Sequence, residues 1–226
     1  MPTTAKLFIA ITIAAGSAIL LAGLAGGGSL PDPSLFLYCL TLALFASTFK
    51  IKLPGMQSTI GASFVLFLIA LMELSLLETL VIVVLSTILQ CVWRPKKQPK
   101  MIQVAFSIAS TIISIEMAFQ VTTALRKEAV VAALVVASAV FFAVNSGLVS
   151  LVVALVSGQA PMDVWRNCHR WAFPYYLLGA GLAAGVTAYG RTYGWSLAFT
   201  MLPLLYMVYA CYSQWLKPQL AESGSR

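Results

Sequence analysis

Residues 129 to 162 contain no charged side chain, and neither do residues 7 to 31. A soluble domain has no use for runs of that kind, since its residues are about 25% charged. Here 9% are charged and 60% are hydrophobic. A helix of about 20 apolar residues is long enough to cross the ~30 Å hydrocarbon core of a bilayer. The expected fold class is therefore an all-α integral membrane protein, a compact polytopic helical bundle in which residues 1–226 form a single transmembrane domain.

Sidedness follows from one short stretch, Arg94, Pro95, Lys96, Lys97, Gln98, Pro99 and Lys100. Four cations and two prolines cannot lie in hydrocarbon, and the prolines stop a helix from running through. A short loop rich in Lys and Arg marks the cytoplasmic face of a membrane protein. The net charge of +7 would suggest nucleic acid in a soluble protein. Here it is explained by positive residues between apolar runs, so no nucleic-acid partner is expected.

The expected helices are about 7–26, 34–49, 57–72, 76–93, 101–125, 129–157, 172–190 and 195–216. The first follows Lys6 and resembles a signal peptide at its start, but its apolar run is long, about 20 residues, and no clear small-x-small cleavage site precedes a soluble region. Gly26 to Ser29 end it, and Pro31, Asp32 and Pro33 turn the chain. Lys50 and Lys52 close the second, and Pro54 and Gly55 turn it. The stretch from Gln57 to Trp93 could be one helix, but that is far longer than a bilayer needs. Two short helices are preferred, with Glu73 and Glu78 at an outer turn in water. An ionised side chain at mid-bilayer would cost about 2.5–3.5 kcal/mol. The third helix is short enough that this hairpin need not cross fully. Gly158 and Pro161 break the sixth helix. Asp163, Arg166, His169 and Arg170 form a second inner loop, a candidate interfacial helix with Trp165 and Trp171 at headgroup depth. The seventh helix is expected to bend near Pro174, with Tyr189, Arg191, Tyr193 and Trp195 in an outer turn. Pro203 is a candidate kink in the eighth.

Eight crossings that start inside place Lys6, Lys50, Lys52, Arg94, Lys96, Lys97, Lys100, Arg166, Arg170, Lys217 and Arg226 in the cytoplasm. These are eleven of the fourteen Lys and Arg residues. Only Arg126, Lys127 and Arg191 fall outside. Seven crossings are the alternative count. Both termini are expected inside, in the cytoplasmic (inner) membrane of a bacterium.

Few residues carry chemistry. Glu116 is the one ionisable side chain deep in an apolar segment, and such residues are functional or paired inside the bundle. Gln120 follows at i+4 and Thr123 at i+7 on the same helix face. A ligand-binding pocket lined by Glu116, Gln120 and Asn145 is the expectation, with Glu116 turned inward. Asn145 is a doubtful member, because it lies about 12 Å deeper than Glu116 if both helices are straight. Gly181 and Gly185, four apart, allow close helix approach. Packing within the bundle is the preferred reading for them, and a homodimer face is the other. His169 with Cys168 suggests metal ligation, but adjacent Cys and His fit no zinc spacing. No metal or cofactor is expected. Cys39, Cys91, Cys168 and Cys211 show no paired spacing and are expected as reduced thiols. A single histidine in a loop supports no Ser-His-Asp set, so the chain is not expected to be an enzyme. No internal repeat supports an inverted-repeat transporter.

One resemblance bears on function. It rests on Lys50, Ile51, Lys52, Leu53, Pro54 and Gly55 closing the second helix. The short-helix pair then ends in Leu89, Gln90, Cys91, Val92, Trp93 and Arg94. Asn145 follows Phe141 and Phe142, and then come Val164, Trp165 and Arg166, and Phe173, Pro174, Tyr175 and Tyr176. Over roughly residues 34–216 this order resembles the membrane-embedded N-terminal sensory regions of bacterial cyclic-di-GMP enzymes. Those enzymes carry a GGDEF diguanylate cyclase or an HD-type phosphodiesterase after the membrane part. Neither a GGDEF sequence nor a His-Asp pair occurs here. The resemblance implies a sensory or anchoring module without its output domain, with a cytoplasmic or membrane signalling partner. The alternative is a small-molecule binding or transport subunit similar to the membrane component of a vitamin uptake system.

Overall fold

A computed structural model describes residues 1–26, 32–52, 59–93, 98–125, 130–169 and 172–195, with positions 207, 210, 211 and 214. Within these residues the chain forms eight α-helices and one two-stranded hairpin. The helices are α1 (Thr3–Ala25), α2 (Pro33–Ser47), α3 (Phe64–Glu73), α4 (Leu76–Val92), α5 (Met101–Leu125), α6 (Val130–Ser157), α7 (Pro161–His169) and α8 (Phe173–Tyr193). Three of them, α1, α5 and α6, are long and apolar enough to cross a membrane. Helices α2, α3 and α4 are apolar but shorter.

Several hydroxyl groups inside these helices are tied back to their own backbone. Thr12, Thr41, Ser47, Ser114, Thr122, Thr123 and Ser146 each donate to the carbonyl four residues earlier, at 2.6 to 2.9 Å. Side-chain donors in an apolar medium need such partners, and the i−4 carbonyl is always within reach.

The middle of the bundle is α3. Every residue from Phe64 to Met72 is buried, and the helix touches α2, α4, α5, α6 and α8. A helix that is apolar all round has to be enclosed in this way. Ten residues rise only about 15 Å, half of a hydrocarbon core. Glycine and aromatic residues let its neighbours close in. An added Cβ on Gly179 of α8 would lie 3.1 Å from the Phe64 ring. The same ring meets Tyr176 edge-on at 4.5 Å and Phe141 of α6 at a tilt at 5.0 Å between centroids.

Several expectations change. The helix expected from residue 57 begins at Phe64, and residues 59–61 form a strand instead. Strands β1 (Lys50–Lys52) and β2 (Thr59–Gly61) pair antiparallel, with Ile51 opposite Ile60. The Lys, Pro and Gly residues taken as a helix stop equally suit a hairpin, and pairing satisfies backbone groups that no helix serves. The Phe49 carbonyl extends that pairing by accepting from Ala62 N at 3.2 Å. Pro174 does not bend a helix. It sits in the first turn of α8, where a missing N–H costs nothing. Arg191 and Tyr193 belong to the last turn of α8, which ends at Gly194 with φ +96°. Gly181 and Gly185 face open space, with nothing within 4 Å of an added Cβ. They do not pack inside the bundle among the described residues. The expected helix 195–216 lies outside the described residues apart from Trp195 and positions 207, 210, 211 and 214, as do Arg94 to Lys97, Arg126 to Glu128 and Trp171.

Candidate functional site

The polar side chains gather in three places. The first is the junction between α3 and α4. Leu74 and Ser75 separate the two helices, as the pair of glutamates suggested. Ser75 caps α4 through a full capping box. Its hydroxyl accepts from Glu78 N at 3.3 Å, and Glu78 Oε2 accepts from Ser75 N at 2.8 Å and from Ser75 Oγ at 2.6 Å. The pattern Ser-x-x-Glu is the sequence signature of such a box. Glu78 is only 3% exposed, and its Oε1 is covered without a hydrogen-bond partner. The carboxyl was expected to reach water; it folds back onto its own helix start instead.

Glu73, at the end of α3, is also withdrawn from water. Its side chain is 12% exposed and pairs with Arg191 of α8. Arg191 Nη2 and Nε donate to the same oxygen, Oε1, at 2.7 and 2.8 Å. The buried Cys39 thiol of α2 lies within electrostatic range of both Glu73 and Glu78. So one end of the bundle brings together the α3–α4 turn and the end of α8. Sequence reasoning had put Glu73, Glu78 and Arg191 in outer turns without linking them. Opposite charges in two turns on one side were the available signal.

The second place is α5. Gln120 Nε2 donates to Glu116 Oε1 at 2.7 Å, the i,i+4 contact that helix geometry offers. Glu116 is half-buried and Gln120 is exposed. Glu116 Oε2 is covered and has no partner. Asn145 is half-buried on α6, and no hydrogen bond joins it to Glu116 or Gln120. The structure thus unites two of the three candidate residues. It sets them on a face where the neighbouring residues Met117 and Thr123 are exposed as well.

The third place surrounds α7. Trp165 is the aromatic residue expected at headgroup depth; its indole Nε1 donates to Ser146 Oγ of α6 at 2.9 Å, and its ring packs on Phe142 at 6.0 Å. Phe142 also meets Phe173 at 5.5 Å and Tyr176 at 4.9 Å. Ser138 Oγ donates to the Tyr176 carbonyl at 2.8 Å. This aromatic knot joins α6, α7 and α8 and is a packing device.

Among the described residues no group of three or more His, Cys, Asp or Glu could hold a metal ion. Cys39, Cys91 and Cys211 are not in disulfides. The side chains of His169 and Cys168 lie outside the described residues. Comparison with protein families, curated proteins and solved structures found no match for this chain.

Proposed function

We propose that the chain is a multi-pass protein of a bacterial inner membrane that acts as a non-catalytic sensor or partner-binding module in signalling. In this reading α1, α2, α5, α6, α8 and 195–216 cross, α3 and α4 form a hairpin that need not cross fully and has both ends inside, and both termini are cytoplasmic. The positive-inside distribution of eleven out of fourteen cations supports that sidedness. The likeness of residues 34–216 to sensory regions of cyclic-di-GMP enzymes supports the signalling role.

One observation carries the partner-binding reading. Glu116 and Gln120 stand on α5, a helix long and apolar enough to cross a membrane, and Gln120 is turned out of the bundle. Glu116 lies nine residues, or about 13 Å, from the outer end of that helix. Polar side chains at that depth are costly in lipid and favour helix association there. Glu73 with Arg191, and Glu78 Oε2 with Ser75, are engaged within the chain.

The test is a diazirine amino acid at Gln120, photolysed in native membranes, with adducts identified by mass. A protein adduct with a cyclic-di-GMP enzyme or with this chain itself supports the reading. An adduct with an ATPase subunit would replace signalling by small-molecule uptake. Adducts with lipid alone would remove the partner-binding role.

A further inference from the structure

The outer half of α5 leaves the bundle on one side. At the level of Glu116 and Gln120 the buried positions are Ile115, Ala118 and Thr122. At ~100° per residue these lie roughly 100–160° round the helix axis from Glu116 and Gln120. Helix α1 explains the opening. It crosses α5 at Gly16, where an added Cβ would stand 2.7 Å from Ala109 Cα. It then leans onto α4, where an added Cβ on Gly23 would stand 3.3 Å from Leu80 Cδ1. On the outer half of α5, Met117 is 49% exposed.

We propose that this face is a contact between two copies of the chain, related by a two-fold axis along the membrane normal. The proposal rests on the partner-binding reading above and names the partner. Its basis is hydrogen-bond complementarity. Gln120 has two amide hydrogens and a carbonyl, and one hydrogen is spent on Glu116 Oε1 at 2.7 Å. A carboxylate oxygen accepts two hydrogen bonds, so Oε1 has room for a second donor. The spare amide hydrogen of Gln120 in one copy meets Glu116 Oε1 of the other, and the reverse contact forms by symmetry. The one-turn offset of about 6 Å between the two residues is within reach of two long side chains. A foreign helix would have to bring a matching donor and acceptor at that spacing, whereas a second copy brings them by identity. Met117 and Thr123 flank the pair and supply the surrounding contact.

The experiment uses the purified full chain in phosphatidylethanolamine–phosphatidylglycerol vesicles. Subunits are counted by single-molecule photobleaching over a hundredfold range of lipid dilution. A diazirine amino acid at Met117 is photolysed in parallel. The expected results are two-step bleaching at high protein density and an adduct of twice the 24.2 kDa chain mass. Peptide mapping should place that crosslink on α5 of the second copy. Gln120→Leu and Glu116→Leu should each lower the dimer fraction at least fivefold, while Glu116→Gln, which keeps an acceptor oxygen, should stay within twofold. Single-step bleaching at every dilution would overturn the proposal. So would a Met117 crosslink mapping to residues 195–216 of the same chain, or a dimer crosslinked through Gly181 and Gly185 instead. Should the leucine variants fail to fold, the dilution series and the Met117 crosslink on the unaltered chain still decide the question. A monomer in vesicles together with a foreign protein adduct in native membranes would sink the two-fold contact and leave the partner-binding reading standing. Lipid adducts alone in both settings would sink both.

Discussion

Arg191 grips Glu73 across 118 residues of sequence, with Nε at 2.8 Å and Nη2 at 2.7 Å from the same carboxylate oxygen. The contact locks the last turn of α8 to the last turn of α3. The carboxylate of Glu73 is unfavourably placed at a helix C-terminus, where the helix dipole is negative. The guanidinium removes that conflict for α3 and sits favourably at the end of its own helix. It also fastens the one helix that is enclosed on all sides.

Breaking this pair should loosen α3. Arg191 is 40% exposed and Glu73 12%, so its worth lies between the ~1 kcal/mol of an exposed pair and the ~3–5 kcal/mol lost on breaking a buried one. Arg191→Ala and Glu73→Gln should each destabilise by about 1–3 kcal/mol. The double variant should cost less than the two single losses added together. Thermal unfolding in detergent, followed by size-exclusion chromatography, measures all three. Additive losses would mean that the ion pair contributes nothing.

The capping box at Ser75 is the next joint. Ser75→Ala removes the acceptor for Glu78 N and should cost about 1 kcal/mol. Glu78→Ala should cost more, because it frees Ser75 N and Oγ together and leaves a hole in a site that is 3% exposed. Glu78→Gln keeps an acceptor oxygen and should fall between wild type and Glu78→Ala. Hydrogen exchange at the first turn of α4 reads the three directly. Equal exchange in Glu78→Ala and wild type would show the box to be idle.

What the sequence disclosed depended on where charges stand. Helices α5 and α6 were legible almost to the residue, because Lys100, Arg126 to Glu128 and Asp163 bracket them. The division of the stretch after Gln57 into α3 and α4 followed from Glu73, Glu78 and a length no bilayer requires. The strands were not legible, because Lys50, Lys52, Pro54 and Gly55 serve a helix stop and a hairpin equally well. The enclosure of α3 was hidden too: Phe64 to Met72 have the composition of a lipid-facing helix, since lipid tails are as apolar as leucine. The same ambiguity hid which way Glu116 and Gln120 face. Their hydrogen bond follows from spacing alone, but Ile115, which is buried, and Met117, which is exposed, are equally apolar. The Glu73–Arg191 link required knowing that α3 and α8 are neighbours.

Asp32 should give α2 a pH-sensitive start. Its Oδ1 accepts from Ser34 Oγ at 2.6 Å, Leu35 N at 3.1 Å and Ser34 N at 3.0 Å. The Ser34 hydroxyl, then the Leu35 N–H and the Ser34 N–H, hold the carboxyl below its ordinary value of 3.8 against an opposing effect of desolvation. A lowered folded pKa means the unfolded state binds the proton first. The cap is therefore at full strength above about pH 4 and is lost as pH falls through the lowered folded value. Protection of the first α2 amides should fall with acidification over that window. Asp32→Asn, which keeps the acceptor but does not titrate, should abolish the dependence. A persistent acid response in that variant would assign it to another group.

The contrast between Gly16 and the pair Gly181 and Gly185 tests the packing of α1. An added Cβ at Gly16 would lie 2.7 Å from both Cα and Cβ of Ala109, so backbone has to move to admit it. Overpacking of that kind costs about 1–3 kcal/mol, and Gly16→Val should exceed Gly16→Ala. Gly181 and Gly185 have open space at the same position. There Gly→Ala creates no clash and raises helix propensity by roughly 1 kcal/mol, so Gly181→Ala should be neutral or stabilising. Thermal unfolding of the four variants Gly16→Ala, Gly16→Val, Gly181→Ala and Gly185→Ala should therefore split into two groups. Ala109→Gly should recover part of the Gly16→Ala loss, because it removes one of the two atoms in the way. A destabilising Gly181→Ala would show instead that α8 closes on a neighbour through that face. A harmless Gly16→Val would show that α1 does not cross α5 there, and the opening beside Glu116 and Gln120 would then lose its geometric cause.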